Sequence, residues 1–302
     1  MKVLVVGGSG LLGSRVVKVF STEFETYATY TANKPPLDKC KLMKVDIRKT
    51  ESVRKIMEEV RPAVVVHTAA LTDVDYCEDH KREARMLNVA GTKNLVDGCG
   101  RVGASMIYIS TDYVFDGKRG GYLEEDSVSP ISYYGKTKLE GEKLLAESRI
   151  DYCIGRVSVV YGWNGPWQRL NFVTWVIKSL KEGRSIRVVD DQYNTPTLAD
   201  NAAEAVYRMV EKNAGGIYHI TGAECVNRYE FAIEIARVFG LDSSKIARGK
   251  TAELKQLARR PFNSCLSTKK AERELGYRPL RIREGLDVMR RQRGYEGWLN
   301  GN

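Results

Sequence analysis

The sequence predicts an α/β protein: a doubly wound parallel sheet with a smaller α/β lobe interleaved with it. Two observations carry this reading. Short β-branched runs alternate with helix-period stretches through the first half, and several of those runs, Val3 to Val6 among them, are continuously apolar, as strands buried on both faces are. A glycine-rich turn, Gly7-Gly8-Ser9-Gly10-Leu11-Leu12-Gly13, separates the first run from the first helix.

The elements follow in order. Val3 to Val6 reads as a buried strand and Leu11 to Phe20 as a helix. Glu25 to Tyr30 and Leu42 to Val45 are the second and third strands, and Thr50 to Glu59 is a helix. Ala63 to His67 is a fourth strand, Glu83 to Gly100 one long helix, and Met106 to Ser110 a fifth strand. A helix after Ser132 runs to Glu147 and the strand Asp151 to Arg156 follows. Beyond Gly162 the rhythm loosens into a loop, a helix (Phe172 to Lys181), a strand (Ile186 to Val189), a helix (Asn201 to Glu211) and a strand (Gly216 to Ile220). Residues 1–162 are assigned to the main domain, with 186–220 returning to its sheet. Residues 163–185 and 221–302 are assigned to the smaller lobe, helical and basic from Arg228 onward.

A chain of 302 residues with 43% hydrophobic and 28% charged residues buries a substantial core, which excludes a disordered protein. No apolar run approaches the roughly 20 residues that span a bilayer, and the opening MKVLVVGGSG lacks a signal-peptide cleavage site, so a cytoplasmic, membrane-free protein is expected. The net charge of +10 is spread out, its densest point being Arg290, Arg291 and Arg293. Without a Lys/Arg run interleaved with aromatics, it points to anionic small molecules and not to nucleic acid. The segment Arg281 to Arg293 reads as an amphipathic packing helix. Six scattered cysteines with no CxxC pair argue against a zinc site and a dense disulfide framework, leaving individual pairing open. His67, His80 and His219 are too far apart for a cluster, so no metal is expected, and His67 and His219 fall at buried strand ends.

The glycine turn satisfies both GxGxxG (Gly8, Gly10, Gly13) and GxxGxxG (Gly7, Gly10, Gly13). Glycine is needed because the turn is tight and a pyrophosphate must approach bare backbone, while the following helix offers free N–H groups to that anion. A nicotinamide dinucleotide on a Rossmann sheet is therefore expected, with Gly7, Gly10, Leu11, Leu12 and Gly13 around it. An NAD site usually carries an acid at the end of the second strand. Here the stretch runs through Tyr30, Thr31 and Lys34 without one. That favours NADPH, with NADH as the second possibility. Lys34 suits either a 2′-phosphate or open solvent. Asp46, next to Ile47, suits either the adenine amino group or a helix N-cap.

Ser110-Thr111-Asp112-Tyr113 ends the fifth strand, and Tyr134-Gly135-Lys136-Thr137-Lys138 opens the helix after it. Tyr134 and Lys138 are four apart and share a helix face. The cation favours the phenolate, so Tyr134 can give its proton to a carbonyl oxygen as the nicotinamide gives a hydride to the carbon. Thr111 would bond the same oxygen. A Tyr and a Lys at this spacing alone usually mean only surface packing; the glycine turn and the Ser/Thr strand end make the set specific.

GGSGLLG, HTAALTDVDYCE, YISTDYVFDG, YYGKTKLEGE, GRVSVVYG, DQYNTPT and RRPFNS run almost end to end. Together they resemble the dTDP-4-dehydrorhamnose reductase family of the extended short-chain dehydrogenases. The resemblance implies reduction of a 4-keto sugar on dTDP, with Thr111, Tyr134 and Lys138 as the catalytic set. It implies that Ala69, Ala70 and Leu71 line the cofactor and that Asn88 supports the active-site helix. It further implies a nucleotide-sugar site at Thr72, Val74, Asn171, Gln192 and Arg260, and a homodimer as a possible assembly. The chain departs from the family at Val157-Ser158-Val159, where Thr-Ser-Trp is common. Asp190 and Asp191, adjacent acids where some members carry a metal-linked dimer contact, read as a loop turn. Two further readings remain open: a related epimerase or dehydratase, with Asp112 as its acid, and a cofactor-binding regulatory subunit like the methionine adenosyltransferase β subunit.

Overall fold

The computed structural model describes residues 1–292. Seven strands build the central sheet: β1 (Lys2–Val6), β2 (Glu25–Tyr30), β3 (Lys41–Lys44), β4 (Val64–His67), β5 (Ser105–Thr111), β6 (Tyr152–Val157) and, later in the chain, β11 (Gly216–His219). Their order is β11-β6-β5-β4-β1-β2-β3, and every pairing is parallel. The apolar runs are buried on both faces, as expected. In β1, Val3 and Val5 enter the core on one side, while Leu4 and Val6 enter the core on the other.

The helices take the two faces in turn. α1 (Leu11–Phe20), α8 (Ala199–Glu211) and α10 (Lys269–Leu275) cover one face, and α2 (Thr50–Val60) and α5 (Gly91–Val102) cover the other with α6 (Tyr133–Ala146). The single long helix expected over 83–100 is divided. α4 (Lys81–Arg85) runs into a π-helical turn, Met86–Ala90, before α5 begins, and a short helix, α3 (Val74–Asp79), precedes it. Such single π turns gather at functional sites, and this one carries Asn88.

The smaller lobe has its own core. α7 (Phe172–Lys181), α9 (Arg228–Phe239) and α11 (Ile282–Arg291) pack through Val176, Ile177, Phe231, Ile235, Leu286 and Met289. The C-terminal basic segment is thus a packing helix as far as Arg291, while Arg293 lies outside the described residues. Short strands brace the lobe: β7 (Val160–Tyr161) with β10 (Thr197–Leu198), β8 (Ile186–Val189) with β13 (Ile246–Gly249), and β9 (Tyr193–Asn194) with β12 (Val226–Asn227). This corrects one expectation. Of the segment 186–220, only α8 and β11 join the central layers, because β11 occupies the edge beside β6 while Ile186 and Val188 of β8 enter the lobe's core. A disulfide between Cys225 and Cys265 ties the loop after β11 to the segment that follows Arg260.

One buried ion pair joins sheet to helix beside the site. Arg156 of β6 donates to both oxygens of Glu142 on α6, at 2.9 and 2.7 Å, and its guanidinium lies over the Phe115 ring. Arg156 is 2% exposed, which makes it a structural partner. Removing one member leaves an uncompensated buried charge, so Arg156→Met is expected to lower stability by about 3–5 kcal/mol, as read by urea unfolding. A loss under about 1 kcal/mol would show the pair to be dispensable.

Candidate active site

The sheet order reverses between β1 and β4, so a crevice opens at their C-terminal ends, the place where open α/β sheets bind ligands. The glycine turn lines it. Gly7 has a φ of +91°, and a Cβ there would stand 2.7 Å from the Ala69 nitrogen. A Cβ on Gly13 would meet the Gly7 carbonyl oxygen at 2.2 Å. Gly10 caps α1 without a side-chain bond to the helix, which leaves the first-turn N–H groups open to an anion. Leu11 is half-buried and Leu12 buried behind it. Thr29, which sequence reasoning missed, holds the turn by accepting from the Gly7 N–H at 3.1 Å.

Ala69 and Ala70 form the opposite wall, half-buried after β4. Tyr30 ends β2 half-buried, and Thr31 and Lys34 stand exposed beyond it. Ile47 is buried against Gly91. Asp46 is not a helix cap. Lys49 holds that position in α2, and both Asp46 oxygens instead accept from Arg48, which keeps the carboxyl below its ordinary range. The bare glycine turn and the uncapped helix fit a dinucleotide.

Thr111 ends β5, and Tyr134 and Lys138 stand one turn apart near the start of α6, with Tyr134 beside Thr111. Ser132 caps α6 by accepting from the Gly135 N–H at 3.2 Å. Gly135 lets the helix sit close, since a Cβ there would be 2.2 Å from the Tyr113 carbonyl oxygen. Asn88 pins the middle of the helix: its amide donates to the Thr137 hydroxyl and the Leu71 carbonyl, both at 3.0 Å, and its oxygen accepts from the Leu71 N–H. Tyr134 is 9% exposed, and its ring stands edge-on to Tyr113. Burial raises its phenol above the ordinary range, and a hydrogen bond with Thr111 opposes that rise. The Lys138 ammonium lies 4.0 Å from the centre of the Tyr108 ring. Burial pushes it down to about 7, with Glu142 pulling the other way. His67 and His219 are buried as expected, and burial pushes each down to about 3.

The residues expected around the sugar divide. Val74 packs in the cluster that holds Tyr134 and Tyr113, and Thr72 is exposed beside it. Arg260 faces Tyr113 and is anchored by the Asp75 carboxylate at 3.0 Å. Asn171 is occupied elsewhere. Its oxygen caps α7 through Val173 and Thr174, and its amide donates to the Gly162 carbonyl and to Asn164. Gln192 is buried and donates to Thr251 and Gln256. Sequence reasoning missed Arg228, at the start of α9. Its guanidinium stands over the Phe172 ring and bonds Tyr113, facing Asp112 and Arg260.

The parallel sheet, glycine turn and Thr/Tyr/Lys group define an extended short-chain dehydrogenase/reductase. The RmlD substrate binding domain family matches residues 1–293. The dTDP-4-dehydrorhamnose reductase of Aggregatibacter actinomycetemcomitans is 33% identical over 292 residues, covering 92% of this chain and 94% of that one. The methionine adenosyltransferase 2 subunit beta of Mus musculus is 34% identical, covering 90% of this chain and 81% of its own. Among solved structures, a dTDP-4-dehydrorhamnose reductase from Bacillus anthracis in complex with NADP superposes with a TM-score of 0.85 at 29% identity, over 95% of this chain and 98% of that one. The chain belongs to the dTDP-4-dehydrorhamnose reductase family, a family of NAD(P)-dependent sugar-nucleotide oxidoreductases.

The buried lysine has a consequence for stability. The folded state holds Lys138 at about 7 against an ordinary 10.5, so its protonated form is the penalised one. That penalty is complete below about pH 7 and fades as pH rises toward the unfolded value. Lys138→Met should therefore stabilise the cofactor-free protein more at about pH 6 than at about pH 9, as measured by thermal unfolding. A gain independent of pH would mean the ammonium is solvated.

Proposed function

We propose that the chain reduces the 4-keto group of a dTDP-4-keto-6-deoxysugar, converting dTDP-4-dehydro-L-rhamnose to dTDP-L-rhamnose with NADPH, and NADH as a second donor. The observation that carries this reading is Tyr134 and Lys138 one turn apart on α6, with Tyr134 beside Thr111 at the end of β5 and packed with Leu71 and Val74 after β4. The nicotinamide cofactor supplies the hydride when bound. Gly7, Gly10 and Gly13 present bare backbone to its pyrophosphate, and Lys34, exposed after β2, is the cation available to a 2′-phosphate. Burial keeps the Tyr134 phenol protonated at neutral pH, ready to hand its proton to the sugar oxygen as charge develops there. Lys138, close to neutrality in the cofactor-free protein, regains its proton most readily beside the phenolate that this transfer leaves.

Asp112 does not favour a dehydratase. Both of its oxygens are taken by hydroxyl groups, and it is 2% exposed. The likeness to a methionine adenosyltransferase β subunit supports a second reading, a cofactor-binding regulatory subunit. NADPH and NADH oxidation in the presence of dTDP-4-keto-L-rhamnose, followed by absorbance, separates them. The reductase consumes cofactor stoichiometrically, and Tyr134→Phe lowers kcat by about 100-fold or more. Cofactor that binds and is never consumed would overturn the reductase and favour the regulator.

A further inference from the structure

We propose that the Cys225–Cys265 bridge is a thiol–disulfide exchange site, and that its reduction by a dithiol loosens the sugar side of the active site while leaving the cofactor side intact. The effect on turnover rests on the reductase reading above.

The bridge staples a three-membered strap. β9 is the middle member: β12 pairs with it antiparallel, Asn227 opposite Tyr193, and on its other side Asn263 stands opposite Tyr193 in parallel. The Tyr193 N–H donates to the Phe262 carbonyl at 2.7 Å, and the Ser264 N–H donates to the Tyr193 carbonyl at 3.0 Å. Cys225 immediately precedes β12, and Cys265 immediately follows Ser264. The register carries both cysteines past the end of β9, where the disulfide joins the two outer members across a sequence separation of 40. Without the bridge, each outer member is held to β9 by one short pairing.

Both outer members lead into the sugar side of the site. The Ser264 hydroxyl accepts from the Asn194 amide at 2.9 Å and lies 2.5 Å from the carboxylate of Asp112, the neighbour of Thr111. Arg228 follows β12 as the first residue of α9, and Arg260, anchored by Asp75, lies two residues before Phe262. The strap also bonds the loop after β5, where the Asn263 N–H donates to the Gly117 carbonyl and the Tyr122 N–H to the Cys265 carbonyl. The glycine turn is held separately, by Thr29 and by its close approach to Ala69.

The two sulfurs differ in access. Cys225 is exposed and Cys265 is buried. Exposed disulfides are the ones that exchange readily with thiols. One thiolate of the dithiol attacks the Cys225 sulfur, the bridge breaks, and Cys265 leaves as a thiolate that takes up a proton. The second thiol of the reductant then attacks the mixed disulfide, closing the reductant's own disulfide and releasing Cys225 as a thiol. Two electrons and two protons pass from the dithiol to the bridge. Three of the four free cysteines do not interfere. Cys77, Cys99 and Cys153 are buried, and burial pushes their thiols up to about 11, about 12 and about 12, which leaves little thiolate to react.

The test compares the oxidised protein with the same protein treated with dithiothreitol under native conditions. Iodoacetamide labelling of Cys225, read by mass spectrometry, reports the open bridge. On opening, hydrogen exchange of the Tyr193 and Ser264 amides, followed by NMR, should quicken by about tenfold or more, while the Gly7 amide stays within about twofold. The KM for dTDP-4-keto-L-rhamnose should rise by about fivefold or more, with the KM for NADPH within about twofold, and reoxidation should restore it. Cys225→Ser should hold the reduced-state KM and ignore dithiothreitol, which separates the bridge from Cys40, the remaining half-buried thiol. A bridge that resists dithiothreitol in the folded protein, or one that opens with the amides or the sugar KM unmoved, would overturn the proposal. Should neither redox form oxidise NADPH, the reductase reading fails, and the labelling and the amides alone decide whether the bridge is an exchange site that controls the strap.

Discussion

The structure depends on how closely the turn after β1 lies against the chain leaving β4. At Gly7 and Gly13 there is no room for a Cβ, since one would meet the Ala69 backbone and the other the Gly7 carbonyl. That contact fixes where α1 begins and leaves its first N–H groups facing the crevice. It also sets the wall of Ala69 and Ala70 opposite the turn. Parallel pairing of β1 with both β2 and β4 then makes the crevice a consequence of strand order.

The catalytic helix is placed by a second set of restraints. Gly135 allows α6 to approach the Tyr113 carbonyl, Ser132 caps its first turn, and Asn88 grips Thr137. Glu142, one turn beyond Lys138, anchors it to β6 through Arg156. Tyr134 and Lys138 are thus held from both ends of the helix and by its middle. A proton donor whose protonation is set by burial needs this rigidity, because admitted water would remove the shift.

Much of this was legible in the sequence, for reasons that differ by residue. The glycine turn and the Tyr134/Lys138 pair are local patterns, set by the geometry of a turn and of a helix. The resemblance makes Asn171 a sugar contact, although an Asn before a helix-period run is an N-cap signal, the role the structure shows. The Asp112 cluster was not legible. Ser158 and Ser264 lie 46 and 152 residues away in sequence, and only the packing of the lobe on the sheet brings them in. Nor does a four-residue apolar run such as Ile186 to Val189 say which sheet it joins, and β8 pairs in the lobe. Arg228 carries no motif; its role emerges from where α9 starts.

The central claim is that this crevice delivers a hydride to a sugar carbonyl while Tyr134 supplies the proton. Transfer of label from NADPH deuterated at the reactive nicotinamide carbon tests it most directly. The product sugar would be analysed by mass spectrometry and proton NMR. The account predicts one deuterium at C4 of the sugar and one equivalent of oxidised cofactor for each product formed. Product without deuterium, or sugar rearranged with the cofactor returned unchanged, would contradict it.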